Sequence, residues 1–301
     1  MKAAETNSPL RRFLHLRYKP KREKFQGCDP CPAFDYFDWV LWAPDARLFF
    51  RMRKLRPRYV LCLSHRRSLW VLKALRFLLK DVTLVVAGED THLGKVERLL
   101  TPVLPRCDKV YFESKDIEHH AIKSFSMGFI SYYLKRLGEE KLTGIMVSLE
   151  NGHFQKTGVL AAWGAIWGQL DQKLPERGEA ARFVEESRWL KREELDPEDY
   201  LRRLAESEYL LAPAGQGIQA PKLAEAWLMR TIPIVVRNPC FEDLQSQGYP
   251  FVMLDQWSDL TQELLEKDRA NRTPPDWKEI EKMLTTDYFV REVLGRVGVT
   301  R

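Results

Sequence analysis

The stretch that most limits what this chain can fold into is Tyr209–Val236, YLLAPAGQGIQAPKLAEAWLMRTIPIVV. It fits two apolar runs, a Gly-rich turn and one helix into 28 residues. Tyr209–Ala212 is an apolar run closed by Pro213, the pattern of a short buried strand. Gly215 and Gly217 in the turn that follows permit positive φ and close backbone approach by a ligand. Pro221 suits a first helical turn, and Lys222–Met229 then reads as a short helix. Thr231–Val236 returns as a second buried strand, so the unit is βαβ and its strands are parallel. A Gly-rich turn feeding a helix aims free backbone N–H groups at one point, which suits a phosphate. Glu225 follows Lys222 by three residues and shares its helical face, so a cation and a carboxylate project together. That pairing matches a ligand with a pyrophosphate and a ribose diol. The same residues also describe an ordinary βαβ unit with a surface ion pair, and neither a GxGxxG nor a Walker pattern is present.

The segment resembles the donor-site signature of exostosin-like glycosyltransferases. The matching residues are Ala212-Pro213, Gly215, Gly217-Ile218, Lys222, Glu225-Ala226 and Thr231-Ile232-Pro233-Ile234. The family has an aspartate where Gln219 stands and an arginine where Lys222 stands; lysine keeps the charge and loses the bidentate fork. The resemblance implies a GT-B fold, that is, two Rossmann-like, doubly wound domains facing each other across a cleft. It also implies an inverting, metal-independent transfer of a sugar from a nucleotide-sugar, a UDP-sugar such as UDP-xylose, to a glycan hydroxyl. The implied donor site comprises Pro213, Gly215, Gln216, Gly217, Ile218, Lys222 and Glu225. A fucosyltransferase-like enzyme using a GDP-sugar stays open, as does a non-catalytic binder of nucleic acid or a membrane surface.

Composition narrows the setting. The chain has 301 residues, enough for two domains with separate cores. No apolar run approaches the roughly 18 residues of a membrane span. The first residues lack the apolar core of a secretory signal. Five cysteines without a pairing pattern point to a reducing compartment, so a soluble, cytoplasmic, viral or microbial type of member is expected. The net charge of +6 is concentrated in Arg11–Lys24 and Arg47–Arg58. It favours an anionic nucleotide donor, with weak membrane-surface attraction and no nucleic-acid partner.

Strand–helix alternation predicts two sets of parallel strands. In the first, Tyr59–Leu63, Val82–Ala87 and Lys109–Phe112 are strands, with helices over Ser68–Leu79 and Leu93–Leu100; Phe34–Phe50 is a helix or strap. In the second, Gly144–Leu149 and Ala181–Glu185 are strands, and Thr157–Gln169 and Asp196–Ser207 are helices. The βαβ unit, a strand over Phe251–Asp255 and a helix over Ser258–Lys267 follow. The expected domains are 1–138 on the acceptor side, 139–275 for the donor, and a closing helical segment over 276–301.

Ligands of such sheets sit outside the carboxyl ends of the strands. In the donor domain the polar loop 150–156 brings Lys156 toward a diphosphate, with a solvated loop lysine as the plain alternative. Glu185–Trp189 is expected to follow a strand near the nucleobase, which adds Arg188 to the donor set. The cation and helix N–H groups stabilise a departing pyrophosphate without a metal, and the chain has no Asp-x-Asp motif, so no cofactor is expected. A base must take the acceptor hydroxyl's proton. Strand ends in the first domain offer Asp90, then Glu89, His92 and His65. A single carboxylate at a strand end is more often a helix N-cap, and Asp90-Thr91 fits that role well. Cys28-Asp-Pro-Cys31 is a lone CxxC without further ligands, and His119-His120 an unaccompanied pair.

Overall fold

A computed structural model describes residues 32–43, 48–63, 65–88, 91–128, 139–163, 174–215 and 217–296. The protein is α/β, with two parallel-rich sheets of five and four strands. Among the described residues, 32–128, 217–219 and 284–296 form one compact unit, and 139–215 with 220–283 form the other.

The first unit holds β1 (Trp39–Trp42), β2 (Phe49–Met52), β3 (Tyr59–Leu63), β4 (Val82–Ala87) and β5 (Cys107–Phe112). They lie in the order β2-β1-β3-β4-β5, with β2 antiparallel to β1 and every other pairing parallel. The expected helix or strap over Phe34–Phe50 is instead a 3-10 turn at Pro32–Tyr36 followed by this β1–β2 pair. Its aromatic and branched side chains alternate between the two faces of the sheet. Trp39 and Leu41 pack on one face with α1 (Arg66–Ala74) and α2 (Leu93–Leu100). Val40 and Trp42 pack on the other with Phe125, Phe289, Val290 and Leu294. Both faces are therefore covered, as a parallel sheet requires.

The second unit contains α3 (Glu139–Glu150), β6 (Val159–Leu160), α4 (Pro175–Glu186), α5 (Pro197–Glu206), β7 (Tyr209–Leu211), α6 (Lys222–Leu228) and β8 (Ile232–Val236). It ends with α7 (Pro239–Ser246), β9 (Val252–Leu254), α8 (Gln262–Asn271) and α9 (Trp277–Met283). All four strands run parallel in the order β6-β7-β8-β9, so the βαβ reading of Tyr209–Val236 is observed. Strand order follows chain order, so no reversal marks a crevice and the carboxyl ends of the strands direct the search.

Four further elements differ from their sequence reading. Gly144–Leu149 lies within α3, where Leu142, Ile145 and Leu149 are buried at helical spacing. Ala181–Glu185 lies within α4, which Pro175 opens at its first turn and which buries Ala180, Ala181 and Val184. Both apolar runs are short, and short runs do not distinguish a strand from a buried helical face. The expected helix over Thr157–Gln169 begins instead with β6, placed beside β7; residues 164–169 lie outside the described residues. The 258–267 helix is likewise split into a 3-10 turn at Trp257–Asp259 and α8.

Candidate functional site

The residues after β6 and β7 gather around the start of α6. Lys222 donates from Nζ to the carbonyl of Ala162, two residues past β6. The same Nζ stands 5.0 Å from the centroid of the Tyr200 ring on α5. Glu225, one turn along α6, is 5 % exposed. Its Oε2 accepts no hydrogen bond among the described residues. Burial pushes Lys222 down to about 7, assisted by Arg177 and Arg192 and opposed by Glu225. Burial pushes Glu225 up to about 7, opposed by the Lys222 charge and the Tyr200 hydroxyl. The two groups interact, so their titration belongs to the pair rather than to either residue.

Further charges frame this pair. Arg192 donates from Nη2 to the carbonyl of Trp163 at 3.0 Å, and its guanidinium lies 4.9 Å from the Trp163 ring centroid. Glu176, in the first turn of α4, accepts from the N–H of Ala214 at 3.0 Å. Burial raises the Glu176 carboxyl above its usual range. The carboxyl ends of β6 and β7 thus collect cations from three elements beside a carboxylate with an open oxygen. Arg177, Arg192 and Glu176 escaped the sequence reading because the type of α4 and of the segment after it was misread; Tyr200 lies on a helix that was read correctly, but nothing local linked it to Lys222.

The Gly-rich turn is divided. Pro213 is buried. Gln216 lies outside the described residues. Gly217–Gln219 pack with the first unit, where the N–H of Ile218 meets the Ser114 hydroxyl at 3.3 Å. Two turn N–H groups that suited a phosphate, on Ala214 and Ile218, are therefore already donated.

Gln219, the position of departure from the resembled signature, is 3 % exposed. Its Nε2 donates to the carbonyls of Glu113 at 2.7 Å and Phe125 at 2.8 Å, and its Oε1 accepts from the N–H of Met127 at 3.2 Å. One donor group facing two carbonyls and one acceptor facing an N–H is the pattern only a primary amide satisfies. An aspartate has no donor for those carbonyls.

Lys156 and Arg188 stand apart from the Lys222 cluster. Lys156 follows α3 rather than a strand, and its Nζ donates to Ser207 O at 3.0 Å, Met229 O at 2.6 Å and Thr231 Oγ1 at 2.9 Å, with Leu204 O at 3.4 Å. Ser207 precedes β7 and Met229 precedes β8, so this lysine occupies the amino ends of the strands. Arg188 is exposed after the C-terminus of α4, again past a helix where a strand was expected.

Of the acceptor-side residues, Asp90 and Glu89 lie outside the described residues. Gly88, which precedes them, adopts φ 90° and donates its N–H to the buried Glu113 carboxylate at 2.6 Å. His65 caps α1, its Nδ1 accepting from the N–H of Arg67 at 3.2 Å. His92 precedes α2 with its Nδ1 3.4 Å from Asp116 Oδ2, while Asp116 Oδ1 accepts from Gly94 N–H at 2.8 Å. Each histidine follows a parallel strand, β3 and β4 respectively. His119 and His120 stack on each other with ring centroids 5.3 Å apart. Cys28 and Cys31 lie outside the described residues. No protein-family model matches the chain, and no curated protein matches it.

Proposed function

We propose that this chain is an inverting glycosyltransferase of GT-B type, with two Rossmann-like domains, that uses a nucleotide-sugar donor and a glycan acceptor. The observation that carries the reading is the Lys222–Glu225 pair at the carboxyl ends of β6 and β7, with a carboxylate oxygen left open. Sugar transfer builds negative charge on the leaving diphosphate, and preorganised cations in a desolvated site stabilise it. Lys222 supplies that charge, with Arg177 and Arg192 contributing to the local potential. Glu225 accepts the ribose hydroxyls and holds the donor in register. The acceptor's proton passes to a base among Asp90, Glu89, His92 and His65, Asp90 first. No step requires a divalent ion, because the side-chain cations take the role a metal would have. A UDP-sugar is the first donor to test and a GDP-sugar the second.

The decisive experiment is thermal denaturation with UDP or GDP in the presence of a chelator. At a hundredfold excess over the dissociation constant, a bound nucleotide stabilises by about 2.7 kcal/mol. That corresponds to roughly 5–10 °C for a domain of this size. Lys222→Met, which keeps the aliphatic stem, should abolish the shift. Indifference to every nucleoside diphosphate, or a shift that appears only with Mg²⁺ or Mn²⁺, would overturn the proposal.

A further inference from the structure

The first unit carries an exposed aromatic and cationic surface that the donor reading does not use. Ser68, Leu69 and Leu72 of α1 are buried against the sheet. Trp70 projects from the opposite side of that helix and is 63 % exposed. The chain continues through a 3-10 turn at Arg76–Leu78, where Phe77 is 69 % exposed. Both rings are thus large exposed apolar groups carried on the one connection between β3 and β4. Arg66, Arg67, Arg76 and Lys80 are exposed along the same connection.

A second connection joins it. The segment after β2 carries Leu55, 66 % exposed, with Arg56 and Arg58 beside it. The N–H of Thr83 donates to the carbonyl of Arg58 at 2.8 Å, which sets this segment against the approach to β4 that bears Lys80. Among the described residues, Arg56, Arg58, Arg66, Arg67, Arg76 and Lys80 take part in no ion pair, whereas Arg51, Arg53 and Lys54 are matched by Asp35 and Asp38. The unmatched charges therefore lie on the same two connections as the exposed apolar groups. Nucleic acid would match the charge but leaves Leu55 and an aliphatic-aromatic mixture without purpose. A bilayer interface accommodates aromatic rings at headgroup depth and draws lysine and arginine to anionic lipid.

We propose that this face of the first unit docks on an anionic membrane surface, with Trp70 and Phe77 entering the headgroup layer and the surrounding arginines and lysines contacting lipid phosphates. The site is independent of the donor reading, and its test does not use catalysis.

The test is cosedimentation of the full chain with vesicles of phosphatidylcholine alone and with about one-third phosphatidylserine. The protein should pellet only with the anionic vesicles, and added salt should weaken binding. Trp70→Ser with Phe77→Ser should reduce binding at least tenfold while leaving the melting temperature unchanged, because both rings are exposed. As an independent variant, Arg56→Gln with Arg76→Gln should weaken binding by about fivefold per charge removed. Failure of the wild type to pellet with anionic vesicles overturns the proposal. So does full binding by the aromatic variant. Equal affinity for an RNA oligonucleotide, lost in the same variants, would also reject the membrane as partner.

Discussion

Replacing Gln219 by alanine should destabilise the first unit far more than an ordinary loop substitution. The wild-type amide makes three hydrogen bonds, at 2.7, 2.8 and 3.2 Å, in a position 3 % exposed. Their partners are backbone groups of Glu113, Phe125 and Met127, all buried, and no water replaces a lost bond there without entering the core. Each bond contributes about 1 kcal/mol net, and each buried group left unpaired costs about 1–3 kcal/mol. Allowing for partial relaxation, the expected loss is about 4 kcal/mol. Urea denaturation followed by circular dichroism would measure it as a lower midpoint at unchanged slope. Gln219→Glu separates hydrogen bonding from side-chain volume: the carboxylate opposes two carbonyls, and protonation restores one donor. Its deficit should therefore shrink as pH falls. Gln219→Ala within 1 kcal/mol of wild type, or a Gln219→Glu deficit indifferent to pH, would refute the reasoning.

Two further outcomes follow from the buried charges. Glu225 is raised to about 7 in the folded chain from an ordinary 4.5, so it contributes stability fully present below pH 4.5 and lost as pH rises through 7. Glu225→Gln should flatten that limb of a stability–pH curve, and a persisting limb would exclude Glu225 as its source. Lys156 is lowered to about 7 by burial and the nearby Arg230 charge, so its contribution is present above pH 10.5 and lost as pH falls through 7. Lys156→Met should remove part of the rise between pH 7 and 10.5 and cost about 2 kcal/mol at its unpaired acceptors; unchanged denaturation from pH 7 to 10.5 would contradict this.

The βαβ unit was legible because its strands are continuous apolar runs, the first closed by Pro213, and its helix opens after Pro221, signals that local physics sets without tertiary help. β3, β4 and β5 were legible as apolar runs spaced by helices, whereas β1, the parallel strand before them, was not. The runs at Gly144–Leu149 and Ala181–Glu185 were not, since five or six residues, several of them apolar, serve a buried helical face as well as a strand, and the decisive charged turns precede them. The Lys222–Glu225 pairing was visible in its spacing of three. Its neighbours Arg177, Arg192 and Tyr200 were hidden because they come from separate elements, and only the sheet register brings those elements together. Gln219 showed itself as a departure from the resembled signature, but nothing local indicated that Glu113, Phe125 and Met127, about a hundred residues earlier in the chain, would require an amide there.

The two half-buried lysines of the second unit differ in which end of the sheet they occupy. Burial disfavours the charge on both, and the sheet separates them by direction. Lys156 stands at the amino ends, where Ser207, Met229 and Thr231 offer it oxygen acceptors and Leu204 a longer fourth. An ammonium has three donors, so that site is saturated and ties the end of α5 to the start of β8. Lys222 stands at the carboxyl ends with one carbonyl, from Ala162, and the face of Tyr200. Its donors are not all committed among the described residues, and a carboxylate oxygen beside it has no partner either. An isolated structural ion pair would gain by closing on itself. On our proposal, a pair that keeps donors and a carboxylate oxygen uncommitted among the described residues, flanked by Arg177 and Arg192, serves an anionic ligand carrying hydroxyl groups. Lys156→Met should accordingly leave a nucleotide-induced melting shift intact in a protein that is less stable, whereas Lys222→Met should remove the shift. The reverse pattern would move the donor site to the opposite end of the sheet.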